Sequence, residues 1–196
     1  MTLVIGVHGA KGSGKDQFFK AAKAAFPDID IRKVAYADPI KYEVSNIFGI
    51  EGEQQYDQFK RTDLSFTVDD GQSYQHVAGR RVVREIGMLM RRYDPHQFVR
   101  YVEQYIQTAP QAVWCVTDVR FENELYSIKN NLRGIIVKIN RAGYHFDGHA
   151  TETEIADGQC DLIINNDNLT LDQYNDLVAR EFAKILQQFG IVKESK

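Results

Sequence analysis

The chain has 196 residues, long for one compact domain and short for two independent ones, so a single domain (1–196) carrying an insertion is expected. A formal net charge of −3 gives no chain-wide case for a nucleic-acid or membrane surface, so neither is expected as a partner. Cys115 and Cys160 lie in apolar segments without metal-like spacing and read as reduced core residues; no charged start leads a long apolar run and no stretch nears ~20 apolar residues, so a soluble, cytoplasmic chain is expected.

Residues 3–7, a short apolar run rich in branched side chains, predict a buried parallel strand. Directly after it stands Gly9-Ala10-Lys11-Gly12-Ser13-Gly14-Lys15-Asp16, the pattern of a phosphate-binding loop except at its last position, where Ser or Thr is usual and Asp16 stands. Glycines let the backbone curl tightly around a phosphate, the lysine carries charge toward it, and the helix that opens there adds the positive end of its dipole. That helix is predicted over 15–26 from Phe18, Phe19, Ala22 and Phe26, closed by Pro27. A second strand follows at 31–36, and Asp38-Pro39 reads as an N-cap with proline in the first helical position, opening a helix to about residue 48.

Between 49 and 79 the pattern weakens into polar, glycine-dotted sequence with a short hairpin around 66–74, the expected inserted element. Helical spacing returns over 80–93 and 95–107, separated by Asp94-Pro95. Further strands are predicted at 112–116, 134–139 and 161–164, and a closing amphipathic helix at 171–189. Strands alternating with helices imply an α/β three-layer sandwich with a central parallel sheet, whose ligands sit at the carboxyl ends of the strands. The glycine loop, Asp38, Asp118, Arg120, Arg141 and Asn165 all follow a predicted strand and can converge there.

Each candidate has a plainer reading. Asp16 either holds Mg²⁺ or positions Lys15, or simply favours the first helical turn; Ser13 offers the alternative metal-ligating hydroxyl. Asp118 faces a substrate or caps the helix after it, and Arg120 makes a bidentate phosphate contact or a salt bridge with Glu122 or Glu124. Arg80, Arg81 and Arg84 begin a helix where phosphate-binding arginines belong, whereas Arg91 and Arg92 read as a solvated face. His145, Asp147 and His149 make a weak zinc pattern without cysteines or a helical His pair; a lid, or a capped helix start at Thr151 with Glu154, fits the tract better.

Several motifs together, Gly9 to Asp16, Ala37-Asp38-Pro39-Ile40-Lys41, Arg84-Glu85-Ile86-Gly87 with Asp94 and Phe98, Thr117-Asp118-Val119-Arg120 with Glu122-Asn123-Glu124, His149-Ala150-Thr151-Glu152 and Asp161 to Asn166, resemble the bacteriophage deoxynucleoside monophosphate kinases over most of the chain. The resemblance implies the P-loop NTPase fold of nucleoside monophosphate kinases and transfer of the γ-phosphate of ATP, with Mg²⁺, onto deoxynucleoside monophosphates, in the host cytoplasm for a phage-encoded chain. It implies ATP binding by Gly9, Ala10, Lys11, Gly12, Ser13, Gly14, Lys15, Asp16, Gln17 and Asn166. Substrate binding would fall to Asp38, Lys41, Arg80, Arg81, Arg84, Asp118, Arg120, Thr151 and Glu152, with metal contacts from Asp16 or Ser13. Lys15, Arg120, Arg141 and Asp118 would carry catalysis, while 49–79 and a lid-like loop at 142–151 would close over small-molecule nucleotides. Gln17 stands where some relatives have threonine, and base choice does not transfer. A homodimer stays open, as do two rivals: another small-molecule P-loop kinase (for phosphomevalonate or dephospho-coenzyme A), and a nucleotide switch, against which no Asn-Lys-x-Asp guanine-reading motif is found.

Overall fold

The computed structural model describes residues 2–67, 74–145 and 155–193. They form two compact units, Met1–Tyr36 with Val102–Lys196, and Ala37–Tyr101. The first is built on a five-stranded sheet of order β2-β5-β1-β6-β7, comprising β1 (Leu3–His8), β2 (Ile31–Val34), β5 (Val113–Val116), β6 (Ile135–Asn140) and β7 (Leu162–Asn165). Every pairing is parallel: Leu3 stands opposite Val113, Ile5 opposite Ile135, Ile31 opposite Val113, and Val137 opposite Leu162. β1 is central and buried along its whole length, as a strand covered on both faces must be. The chain fills the sheet on one side of β1 and then on the other, which makes the carboxyl end of β1 the switch point where such sheets open a crevice.

Helices α1 (Lys15–Ala25) and α7 (Leu171–Gln188) cover one face. Phe18 and Phe182 meet edge to face at 5.9 Å, with Phe26 5.7 Å from Phe182, above Leu3, Ile5, Val7, Val137 and Ile139. α7 opens on a capping box: Thr170 Oγ1 accepts from the Gln173 amide at 3.2 Å, and the Gln173 side chain accepts from the Thr170 amide at 2.9 Å. The other face carries α6 (Glu122–Tyr126) and the π-helical turn Ser127–Asn131, which comes so close to the sheet that a Cβ on Gly6 would lie 2.7 Å from Ile136 Cδ1 and 3.3 Å from Ile128 Cγ1. Trp114 is buried there, 5.6 Å from Tyr105. The expected α/β three-layer sandwich with a central parallel sheet is therefore the architecture of this unit, its glycine loop leaving the central strand.

The second unit holds α2 (Asp38–Phe48), α3 (Gly52–Phe59), the hairpin of β3 (Asp63–Thr67) and β4 (Tyr74–Ala78), and α4 (Gly79–Tyr93); α5 (Gln97–Gln107) begins in it and ends in the first. It runs wider than the 49–79 segment read from the sequence. Several local expectations shift. Asp38 is the first helical residue rather than the N-cap, which is Ala37 in a helical conformation with no side-chain cap bond. α3 was not expected; Phe59 packs on Phe48 at 4.8 Å and fixes it. The hairpin ladder runs from Asp63 opposite Ala78 to Thr67 opposite Tyr74, so its strands extend outward from the predicted 66–74. Cys115 is fully buried, its thiol pushed up to about 12 by burial, but Cys160 is only half-buried beside a 3₁₀ turn. No helix among the described residues is long and apolar enough to cross a membrane.

Candidate active site

The loop between β1 and α1 is held through its own carbonyls. Asn166 Nδ2 donates to Ser13 O at 2.9 Å, the Tyr174 hydroxyl to Gly14 O at 3.1 Å, and an Arg141 guanidinium nitrogen to Gly12 O at 3.2 Å. In a planar trans peptide the N–H points opposite the preceding C=O, so the amides of Gly14 and Lys15 are turned away from Asn166 and Tyr174. This is the polarity an anion-binding loop requires. Gly14 caps α1 with φ +116°, and a Cβ there would lie 2.9 Å from Asn166 Nδ2 and 3.2 Å from the Tyr174 ring, so neither backbone nor surroundings admit a side chain.

Lys15 Nζ lies across the loop, donating to Gly9 O at 2.7 Å and Ala10 O at 2.8 Å. Ser13 is buried, and its hydroxyl has no hydrogen-bond partner among the described residues. The next two residues turn elsewhere. Asp16 is exposed, 3.6 Å from Lys33 Nζ on β2, and the Gln17 amide donates to Asn175 Oδ1 on α7 at 2.8 Å. Ala10 is buried and Lys11 exposed on the loop.

The neighbouring strand ends bring Asp118, Arg120 and Arg141 to the same edge of the sheet. Asp118 Oδ1 accepts the Tyr36 amide at 2.7 Å, tying the segment after β5 to the chain two residues past the end of β2. Between Asp118 and Arg120, the Val119 amide donates to Val7 O at 3.3 Å and Val119 O accepts from His8 Nδ1 at 2.8 Å, so this segment flanks the strand that feeds the loop. The Arg120 and Phe121 amides donate to one oxygen of the buried Glu124 carboxylate, at 2.8 and 3.2 Å, so the cap of α6 is supplied by Glu124 and not by Asp118. Tyr36 donates its hydroxyl to Glu124 O at 3.2 Å, and burial, with the Glu124 charge next, drives its pKa far above the usual phenol value.

His8 and Lys138 are register partners on β1 and β6, both buried. His8 Nε2 accepts the Ile155 amide at 3.1 Å while Lys138 Nζ donates to Ile155 O at 3.0 Å and to Asp157 Oδ1 at 2.7 Å. The accepting Nε2 leaves the proton on Nδ1, a neutral imidazole.

In the second unit, Lys41 Nζ lies 3.7 Å from Glu53 and 5.4 Å from the Tyr56 ring centroid, and the Lys60 ammonium sits 4.8 Å over the same ring. The Tyr56 phenol is pushed up to about 12, first by burial and then by the charges of Asp57 and Asp38. Arg81 pairs with Glu85 at 2.6 Å on the exposed side of α4, whereas Arg80 and Arg84 are half-buried. Arg91 stacks 4.5 Å from the Phe98 ring centroid rather than standing free in solvent; Arg92 is exposed. Thr151 and Glu152, with most of the lid-like loop 142–151 and with Asp147 and His149, lie outside the described residues. Among the described residues no cluster of three metal-ligating side chains occurs.

The loop fits a nucleotide phosphate: Gly9, Gly12 and Gly14 all sit where a Cβ would collide, Lys15 is at hand, and the buried Ser13 hydroxyl has no partner among the described residues. The oxygen donors of Ser13 and Asp16 suit the hard cation Mg²⁺. Sequence reasoning missed Tyr144, Tyr174 and Asn175, which touch the loop and α1 from distant segments; only their return to the strand-end side could have signalled them.

No protein-family model matches the chain. It is 27% identical over 186 residues to a protein of Acanthamoeba polyphaga mimivirus provisionally named deoxynucleotide monophosphate kinase, with 88% of this chain and 92% of that protein aligned. Among solved structures it is similar to a dephospho-CoA kinase from Campylobacter jejuni (TM-score 0.44, 13% identity, 95% of this chain and 97% of that one). It is also similar to a provisionally named kinase from Chloroflexus aurantiacus (TM-score 0.43, 10% identity, 93% and 97% covered).

Proposed function

We propose that the protein phosphorylates deoxynucleoside monophosphates with ATP. The observation that carries the reading is the glycine loop with its carbonyls tied back and Lys15 laid across it; the similarity to the mimivirus protein along most of both chains supports the acceptor class. An oxygen of the acceptor phosphate attacks the γ-phosphorus in line, the bond to the β–γ bridging oxygen breaks, and ADP leaves with the nucleoside diphosphate as product. Lys15 exchanges two carbonyl partners for the donor's β- and γ-oxygens. Gly9, Ala10, Lys11, Gly12, Ser13, Gly14, Asp16, Gln17 and Asn166 complete the donor site, Asn166 by bracing the loop. Arg120 and Arg141 neutralise the transferred group, and Asp118 orients the acceptor. Asp38, Lys41, Arg80, Arg81 and Arg84, with Thr151 and Glu152, are assigned to the acceptor nucleotide; Arg81 must leave Glu85 to take part. Ser13 would hold Mg²⁺, joined by Asp16 once it leaves Lys33; the ion neutralises charge on the donor phosphates when bound.

The test is a panel of acceptors: each deoxynucleoside monophosphate, the ribonucleotides, dephospho-coenzyme A and phosphomevalonate, with γ-labelled ATP and Mg²⁺. Label should move to one or more deoxynucleoside monophosphates, and Lys15→Ala should reduce the rate at least ~100-fold. Transfer only to a different acceptor, or only to water, refutes the reading.

A further inference from the structure

Four residues beyond β6, Tyr144 lies with its ring against the loop, and nothing in its sequence context marks it. A Cβ built on Gly12, at φ +82°, would stand 2.5 Å from Tyr144 Cε1, so ring and glycine occupy complementary space. The Arg141 guanidinium stacks on the same ring, 4.6 Å from its centroid, while donating to Gly12 O. The backbone is shaped for this meeting. Tyr144 N–H donates to Arg141 O at 3.1 Å, closing a four-residue turn in which Gly143, in third place, has φ +78°, the position where such a turn requires a positive value. The Asp167 carboxylate, just past β7, accepts the Ala142 amide and anchors the turn to the sheet edge.

A long arginine side chain loses much rotamer freedom when it is held in one place, and Arg141 is otherwise exposed. The geometry points to Tyr144 as a positioning residue: its ring holds the Arg141 guanidinium at the lip of the loop, so that a nucleotide phosphate meets a cation already in place. This rests on the proposed phosphate-binding role of Arg141. Gly12 is then required on two counts, its backbone angle and the space its missing side chain leaves to the ring.

The test is ATP affinity, measured by calorimetry without acceptor, for the wild type, Tyr144→Ala, Tyr144→Phe, Arg141→Ala and the Tyr144→Ala/Arg141→Ala double variant. Tyr144→Ala should weaken binding about five- to tenfold, and Tyr144→Phe, which keeps the ring, should restore it to within about twofold. In the Arg141→Ala background, Tyr144→Ala should add less than about twofold, because its effect runs through the arginine. Unchanged affinity in Tyr144→Ala, or costs that simply add in the double variant, overturn the inference. Wild-type ATP binding with no transfer to any deoxynucleoside monophosphate would refute the proposed acceptor and leave this role standing; wild-type protein that binds no ATP refutes both.

Discussion

Replacing Asn166 with aspartate keeps the shape of the side chain and turns its only donor into an acceptor. Asn166 is 7% exposed, and its amide nitrogen lies 2.9 Å from Ser13 O, while its backbone N–H is separately bonded to Asn140 O at 2.8 Å and stays so. The change removes a buried hydrogen bond and sets a carboxylate oxygen against a carbonyl oxygen, a cost of about 3 kcal/mol when the acid is ionised. For a chain of this size that corresponds to a fall in Tm of about 6–12 °C. Burial raises the folded pKa of the introduced acid above its unfolded value of about 3.9. Protonated, the acid can donate to Ser13 O again. The cost is therefore small below pH about 4 and grows as pH rises through the folded pKa. Thermal melts of wild type, Asn166→Asp and Asn166→Ala at pH 4.5 and pH 8 measure this, with ATP titration as the second readout. Asn166→Ala should lose about 1–2 kcal/mol at both pH values. A melt of Asn166→Asp within ~1 °C of wild type at pH 8, or a gap independent of pH, would refute the brace assigned to Asn166.

Arg120→Ala should lower kcat by about 10²–10³-fold with an unchanged melt; near-normal turnover removes it from the catalytic set. Tyr36 and Tyr174 both have phenol pKa values raised chiefly by burial, so the stability they contribute is full below pH about 10 and is lost as pH climbs toward their folded values. Tyr36→Phe and Tyr174→Phe should each flatten the decline of Tm between pH about 9.5 and 11, and an unaltered slope counts against their burial. Gly79→Ala places a Cβ 2.1 Å from Phe59 O, a backbone atom that cannot rotate away; it should cost about 1–3 kcal/mol by chemical denaturation, and a neutral result would contradict this packing.

The central strand and its loop were readable because their information is local: an unbroken apolar run, glycines at fixed spacing, then a helical face of Phe18 and Ala22. Residues that act at long range left no such trace. Asn166, singled out only by resemblance, meets Ser13 across 153 positions, and Tyr174 looks like one more apolar residue of α7 until its hydroxyl is found on Gly14 O. Helix α3 escaped notice because Tyr56 and Phe59 alone face inward, too few to set a period. Asp38 misled for a different reason: the Asp-Pro pair announces a helix start, but Ala37 already adopts helical angles and moves the boundary by one residue. That Asp118, Arg120, Arg141 and Asn165 come to one sheet edge followed from each standing after a predicted strand, whereas the direction in which each side chain turns did not.

The clasp on Ile155 has a consequence for which sequences this fold can accept. His8 and Lys138 hold the amide and the carbonyl of that residue, groups common to nearly all amino acids, so residue 155 is recognised as backbone. Only proline, which has no N–H to offer, is refused by the clasp itself; size is screened separately, by the buried space around the side chain. Any substitution at residue 155 other than proline thus leaves both backbone bonds, and with them the anchor to β1 and β6, in place.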